Sequence, residues 1–214
     1  MPSAGVVKHR RWVPAGVVLV LGLLLAGLAA RWQARDNASR VELTLQTTGA
    51  SIADQLAKRL QLYENGLRGA RGAVIAAGID TLRRETFRTY HESLDVDRQF
   101  PGARGFGFIR RVAVDSEAGF LAKARRDGAP EFKIRQLEPY GGERYVIQYI
   151  EPVDRNQAAV GLDIASEANR RAAAQQAASG GQAAITRPIT LVQATGQAQR
   201  SFLLLLPVYR PGLR

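Results

Sequence analysis

From Val13 to Ala30 the sequence VPAGVVLVLGLLLAGLAA carries no charged residue. That length is just enough to cross a hydrocarbon core of about 30 Å as a helix, so the run predicts a transmembrane segment. Lys8, Arg10 and Arg11 precede it, and Trp12 and Trp32 stand at its ends like interfacial anchors. A basic flank of this kind predicts an N-terminus left in the cytoplasm. The alternative is a cleaved signal peptide, because Gly27, Ala29 and Ala30 are small residues after an apolar run. Under either reading the remainder is exported.

Beyond the span, apolar residues recur at Val41, Leu45, Ile52, Leu56, Leu60, Tyr63, Leu67, Ala70 and Val74. Steps of three or four put them on one helical stripe, which predicts a stalk helix. Helical from Arg31 to Ala76, it would extend roughly 70 Å, too long to be stable without a partner along its stripe. The following domain, the same helix in a second subunit, or both would supply one. Gly66, Gly69, Gly72 and Gly78 allow close backbone approach at its far end and mark the junction with a domain.

The pattern then changes. Asp80 is placed to cap a helix carrying Phe87, Tyr90 and Leu94, which Phe100-Pro101-Gly102 ends. Gly105 to Val114 reads as a strand, and Asp115 as the cap of a helix with Phe120 and Leu121 facing in, stopped at Asp127-Gly128. Strands are expected at 131–137 and 144–151, joined as a hairpin, and at 159–164. Ser166 is expected to cap an alanine-rich helix closed by Gly180-Gly181. Strands at 183–186, 189–194 and 201–209 follow, with a turn at Thr195-Gly196-Gln197. Leu203 to Leu206 is apolar without alternation, which predicts burial on both faces and a fragment whose partner strands are missing. Helices inserted among short strands point to an α+β class, an antiparallel sheet with helices on one side.

At 214 residues and 46% hydrophobic, the chain holds one compact domain plus its helix. Cysteine is absent, which removes disulfides, thiolate metal sites and cysteine nucleophiles. The net charge of +11 raises the question of nucleic acid, but the basic residues are scattered and form no aromatic-interleaved stripe. A solvated basic surface near anionic lipid fits them better.

Only His9 and His91 exist, one in the N-terminal tip and one at a polar helix position beside Glu92. No Ser-His-Asp arrangement or histidine metal site can be assembled from them, and an exported hydrolase lacks a nucleophile and base pair. Gly102 to Gly107 has the glycine count of a phosphate loop but not its spacing, and leads into a strand. Glu151, Asp154 and Asp163 cluster near one turn, where surface carboxylates are commoner than acid/base pairs. No catalytic, metal or cofactor residue is assigned. Candidate ligand contacts come from alternation: Phe106 and Phe108 on one strand, and Tyr145, Ile147 and Tyr149 on another, each set projecting to a single sheet face. The same aromatics could equally fill the core.

Several longer runs occur in order along the chain. They are Phe87-Arg88-x-Tyr90-x-x-Ser93-Leu94, Phe100-Pro101-Gly102-x-x-Gly105-x-Gly107-Phe108, Arg111-Val112, Tyr149-Ile150-Glu151-Pro152 and Ala159-x-Gly161-Leu162-Asp163. Arg170-Arg171-Ala172, the run Ile185-Thr186-x-Pro188-Ile189-x-Leu191-Val192-Gln193 and Phe202-Leu203-Leu204-x-Leu206-Pro207-Val208-Tyr209 follow. Together these runs resemble the CHASE domain, an extracellular sensor family that includes plant cytokinin receptors.

The resemblance implies a stalk helix followed by two PAS-like subdomains, ligand in the membrane-distal one, and a homodimer through the stalk. It implies a second transmembrane helix and a histidine kinase or cyclase output beyond this sequence. It also places Thr186 at the pocket, as a matching threonine of the plant receptors. Their adenine-binding aspartate would fall near Glu151-Pro152, where this sequence has none, so the ligand is not carried over. The expected layout is a cytoplasmic tip at 1–12, a transmembrane helix at 13–30, a stalk at 31–78, the sensor at 79–200 and a last strand at 201–214. The expected function is a membrane-anchored, extracytoplasmic small-molecule sensor of the inner membrane; the alternative is a scaffold that dimerises without ligand. Expected partners are a small molecule, membrane lipid and a second copy, with no nucleic acid.

Overall fold

The computed structural model describes residues 12–192, 200–210 and 212. They fall into two compact units, residues 1–58 and 59–214. Helix α1, Trp12–Ala77, belongs to both. Its one proline, Pro14, stands in the first turn, where a helix has no acceptor for the missing N–H. In the first unit, Ala15–Asn37 is long and apolar enough to cross a membrane, with a mean hydropathy of 2.0. Leu45, Ile52 and Leu56 of the expected stripe are 64%, 61% and 57% exposed, so none of the described residues covers them. Val41 lies outside the residues whose side chains are described.

In the second unit the same stripe becomes a packing face. Tyr63 and Leu67 are half-buried, and Ala70 and Val74 are buried against helices α2 (Arg84–Glu92) and α3 (Val96–Gln99) and the residues around them. Glycine is required at position 66, where an added Cβ would meet the Phe100 ring at 2.5 Å and the Phe106 ring at 3.1 Å. Asp80 does not cap α2 as expected. The N-cap residue is Arg83, and the Arg84 N–H donates to Asp127 Oδ2 at 2.9 Å, so a carboxylate from a distant turn caps the helix. Asp80 instead accepts two hydrogen bonds from Arg210, at 3.0 and 3.1 Å.

Strands β1 (Phe106–Val112) and β2 (Arg144–Glu151) pair antiparallel from Phe106↔Glu151 to Val112↔Arg144. The register slips where Phe108 opposes Tyr149 but Ile109 opposes Ile147, leaving Gln148 as an unpaired bulge. Helix α4 (Glu117–Arg126) follows a 3₁₀ turn at Val114–Ser116. Asp115 lies inside that turn and Ser116 is the N-cap residue, which corrects the expected cap. Phe120 and Leu121 do face inward, against Val112, Phe132 and Val146.

The expected hairpin between 131–137 and β2 does not form, because residues 161–163 occupy that edge of β2. Ile147 N–H donates to the Leu162 carbonyl and Gly161 N–H to the Ile147 carbonyl, both at 2.9 Å. On its other side the segment joins residue 135: Arg135 N–H donates to the Gly161 carbonyl at 2.9 Å, and Asp163 N–H to the Arg135 carbonyl at 2.8 Å. The segment expected as a strand at 159–164 is therefore a short connector. A 3₁₀ turn at Gln157–Ala159 enters it, and Gly161 at φ +77° bends it out of the extended form.

Helix α5 (Val153–Asn156) leads into that turn, and helix α6 (Ala168–Gly180) follows the connector. Glu167, not Ser166, caps α6, accepting from the N–H groups of Asn169 and Arg170 at 2.9 and 3.1 Å. The Ser166 hydroxyl is engaged elsewhere, donating to the Asp163 carbonyl and accepting from Leu137 N–H. Gly181 closes the helix. Among the described residues four short strands follow: β3 (Ala184–Ile185) pairs with β6 (Leu204–Leu205), and β4 (Ile189–Thr190) with β5 (Arg200–Ser201). The expected Thr195-Gly196-Gln197 turn lies outside the described residues. Leu203 to Leu206 is half-buried, not buried on both faces, since β6 has one partner strand among the described residues. Helices with small antiparallel ladders make the domain α+β.

Gly161 and Gly119 give a paired test of this packing. An alanine Cβ at 161 would lie 2.1 Å from the Lys133 carbonyl oxygen at a left-handed φ, whereas Gly119 in α4 has nothing within 4 Å. Gly161→Ala is expected to cost about 3 kcal/mol or more, and Gly119→Ala to be neutral or stabilising by up to about 1 kcal/mol. Chemical denaturation of the full chain in nanodiscs, followed by circular dichroism, reads both.

Candidate ligand-binding site

The bulge at Gln148 divides the six candidate residues between two faces of the β1–β2 ladder. Phe108 and Tyr149 stack at a centroid distance of 6.2 Å, and join Val74, Leu82 and Phe87 in one core. Phe106 packs edge-on to Phe100 at 5.2 Å, beside Ala70 of α1. Ile147 and the half-buried Tyr145 lie in a different cluster with Ile109, Ile150, Ile164 and Ala174 of α6. The expectation that Tyr145, Ile147 and Tyr149 share a face is thus corrected. One extra residue between positions 147 and 149 reverses the alternation.

Thr186 follows β3 and is 3% exposed. Its N–H donates to the Leu203 carbonyl and its hydroxyl oxygen accepts from Leu203 N–H, both at 3.0 Å. Leu205 of the partner strand β6 packs on the Ile147 cluster, so Thr186 belongs to the α6 side of the ladder. Arg170, also nearly buried, donates from Nη2 to the Thr190 carbonyl at 2.7 Å and ties α6 to β4. Burial lowers the pKa of its guanidinium.

Polar chemistry on the opposite face centres on Tyr149. Its hydroxyl lies 2.6 Å from Asp127 Oδ2 and 3.0 Å from the Leu82 carbonyl, and accepts from Gln148 Nε2 at 2.9 Å. Burial first, then the hydrogen bond to Asp127, raises the phenol well above its ordinary pKa, so it stays a neutral donor. The Arg84 guanidinium stands over the Tyr149 ring at 5.2 Å. The carboxylates singled out in the sequence serve the backbone. Asp163, fully buried, accepts from Tyr145 and Ala165 N–H; Glu151 accepts from Val153 N–H and Asp154 from Arg155 N–H. Among the described residues no group of three or more acidic or imidazole side chains is placed to hold a metal ion.

A cleft of about 750 Å³ opens on the Tyr149 side, between residues 80–83, the end of β1 and α4. Tyr149 is the one candidate residue that lines it; Arg110, Gln148 and Asp127 line it as well. Sequence reasoning passed over these charges. The available signal was Arg110, two residues beyond Phe108 on the same face of β1, where a cation interrupts an inward apolar row between Phe108 and Val112.

His91 of α2 is half-buried rather than at the open polar position its neighbours suggested, and its buried Nε2 has no hydrogen-bond partner among the described residues. Desolvation lowers its pKa below 6.5, opposed by the nearby Glu151 carboxylate. In the window below pH 6.5 the unfolded chain therefore binds more protons at this site, and stability falls as pH falls until the folded-state pKa is passed. The melting temperature is expected to drop from pH 7.5 to 5.5, with a shallower drop in His91→Gln. A slope unchanged by the substitution would contradict this burial.

No curated protein matches the chain. Residues 80–214 match the family model of the CHASE domain, a match that begins at Asp80 and takes in both faces of the ladder, α6 and the closing strands. The chain belongs to the CHASE domain family, whose members are extracytoplasmic sensor domains of signalling receptors.

Proposed function

We propose that this chain is the membrane anchor, helical stalk and small-molecule-binding part of a receptor in the inner membrane, feeding a histidine kinase or cyclase output. The single observation that carries the reading is the family match over residues 80–214, joined through α1 to an apolar segment long enough to span a membrane. In this reading the domain is the PAS-like, membrane-distal half of the sensor, and it does no catalysis. Tyr145, Ile147 and Thr186 face the ligand between β2 and α6, while Phe106, Phe108 and Tyr149 transmit its binding to α1. Ligand shifts the population between two arrangements of a dimer, by as much as its affinity differs between them. The dimer forms along α1, since the apolar side chains of Leu45, Ile52 and Leu56 need a cover that a second copy supplies.

The scaffold reading has one observation of its own. The face between β2 and α6 is filled by Ile147, Ile150, Leu162, Ile164 and Ala174. A thermal-shift screen of the full chain in nanodiscs separates the two, using adenine derivatives, amino acids, organic acids and lipophilic metabolites. A ligand at about 100 times its dissociation constant is expected to stabilise by about 2.7 kcal/mol. Thr186→Val and Tyr145→Ala are expected to abolish the shift and Lys58→Ala to leave it. Silence from the whole library would favour the scaffold.

The dimer is tested separately. The native sequence has no cysteine, so Leu56→Cys introduces the only thiol. Oxidation in membranes is expected to link two copies through position 56, and an exclusively monomeric product would refute pairing along this stripe.

A further inference from the structure

The cleft on the Tyr149 side is lined by six cationic side chains against three carboxylates, Asp80, Asp115 and Asp127. Arg110 forms its floor. With a side chain 18% exposed, this guanidinium lies over the Phe108 ring at 5.0 Å. Nε is held by Gln148 Oε1 at 3.2 Å and Nη2 by the Ile79 carbonyl at 2.6 Å. These bonds fix the fork in place and leave Nη1 to a single carboxylate, Asp80, at the long distance of 3.4 Å. Asp80 is shared, because Arg210 grips the same group with two shorter bonds. Lys123 and Arg126 of α4 also line the cleft and form no ion pair among the described residues. A desolvated, prepositioned cation with an underused donor favours an anion over water, because charge-assisted bonds strengthen as solvent is excluded.

We propose that this cleft binds a small molecule carrying two or more carboxylate or phosphate groups, and that Asp80 occupies part of the site when no anion is bound. One anionic group displaces Asp80 and takes the Arg110 and Arg210 donors; another meets Lys123 and Arg126. The cleft volume lies within the range of small-molecule sites. The site lies on the opposite face of the ladder from the Tyr145, Ile147 and Thr186 face, and its occupancy does not depend on a ligand there. Asp80 follows α1 by three residues, with the Thr81 hydroxyl bonded to the Ala77 carbonyl at 2.8 Å. Displacing its carboxylate therefore alters the link by which α1 enters the domain.

Isothermal titration of the full chain in zwitterionic nanodiscs tests this, with citrate and inorganic phosphate as probes and sodium chloride held at matched ionic strength. Saturable binding of either probe is expected, and the tighter one reports whether carboxylate or phosphoryl chemistry is preferred. Lys123→Ala with Arg126→Ala is expected to weaken binding about tenfold or more. Asp80→Asn is expected to tighten it about two- to fivefold, the gain from removing one exposed ion-pair competitor. That increase cannot come from misfolding or from loss of general positive charge. No saturation beyond chloride, equal binding by the α4 double variant, or unchanged or weaker binding by Asp80→Asn would each overturn the proposal.

Discussion

Strand β2 has to serve two cores at once, and the way it does so governs the domain. Residues Val146 to Glu151 are all buried, so neither face of the strand is left to water. Ile147 and Ile150 look toward α6 and Tyr149 toward α1 and α2, an assignment that strict alternation would forbid. The extra residue at Gln148 makes it possible, and its own side chain bonds both Arg110 and Tyr149. The bulge thus supplies a polar link between the apolar core beneath α1 and the charged cleft beside it.

Two carboxylates, the buried Asp163 and the half-buried Asp127, hold the irregular parts of the chain. Asp163 closes the connector beside β2 by accepting two backbone N–H groups, and Asp127 caps α2 while bonding Tyr149. At the buried Asp163, an ionised group without such partners would cost several kcal/mol. With them, it replaces the regular ladder bonds that short strands cannot provide.

Much of this organisation was legible in the residues. The uncharged run before Ala30, the helical stripe ending in Ala70 and Val74, and the strand at 144–151 follow from period and length alone. The family was legible too, since its runs occur in order over the stretch from Phe87 to Tyr209. What could not be read was pairing. Nothing local in 131–137 reveals that 161–163 will reach β2 first, because the choice is made by contacts distant in sequence. Caps failed for the same reason: Asp80 and Ser166 are sound local caps, yet Arg210 and the Leu137 N–H claim them from elsewhere. The placing of Tyr149 apart from Ile147 was hidden because a bulge leaves no mark in the hydrophobic pattern.

Gly66 gives α1 a mechanical property of its own. The Phe100 ring sits where only a backbone hydrogen fits, so the helix and the domain engage like a key in its slot. Sliding or turning α1 by one residue would bring the side chain of Asn65 or Leu67 against that ring. The last turns of α1 therefore cannot creep past the domain by small increments. A displacement of them has to move the Phe100 ring, and with it the Phe106 ring of β1 that packs edge-on against it.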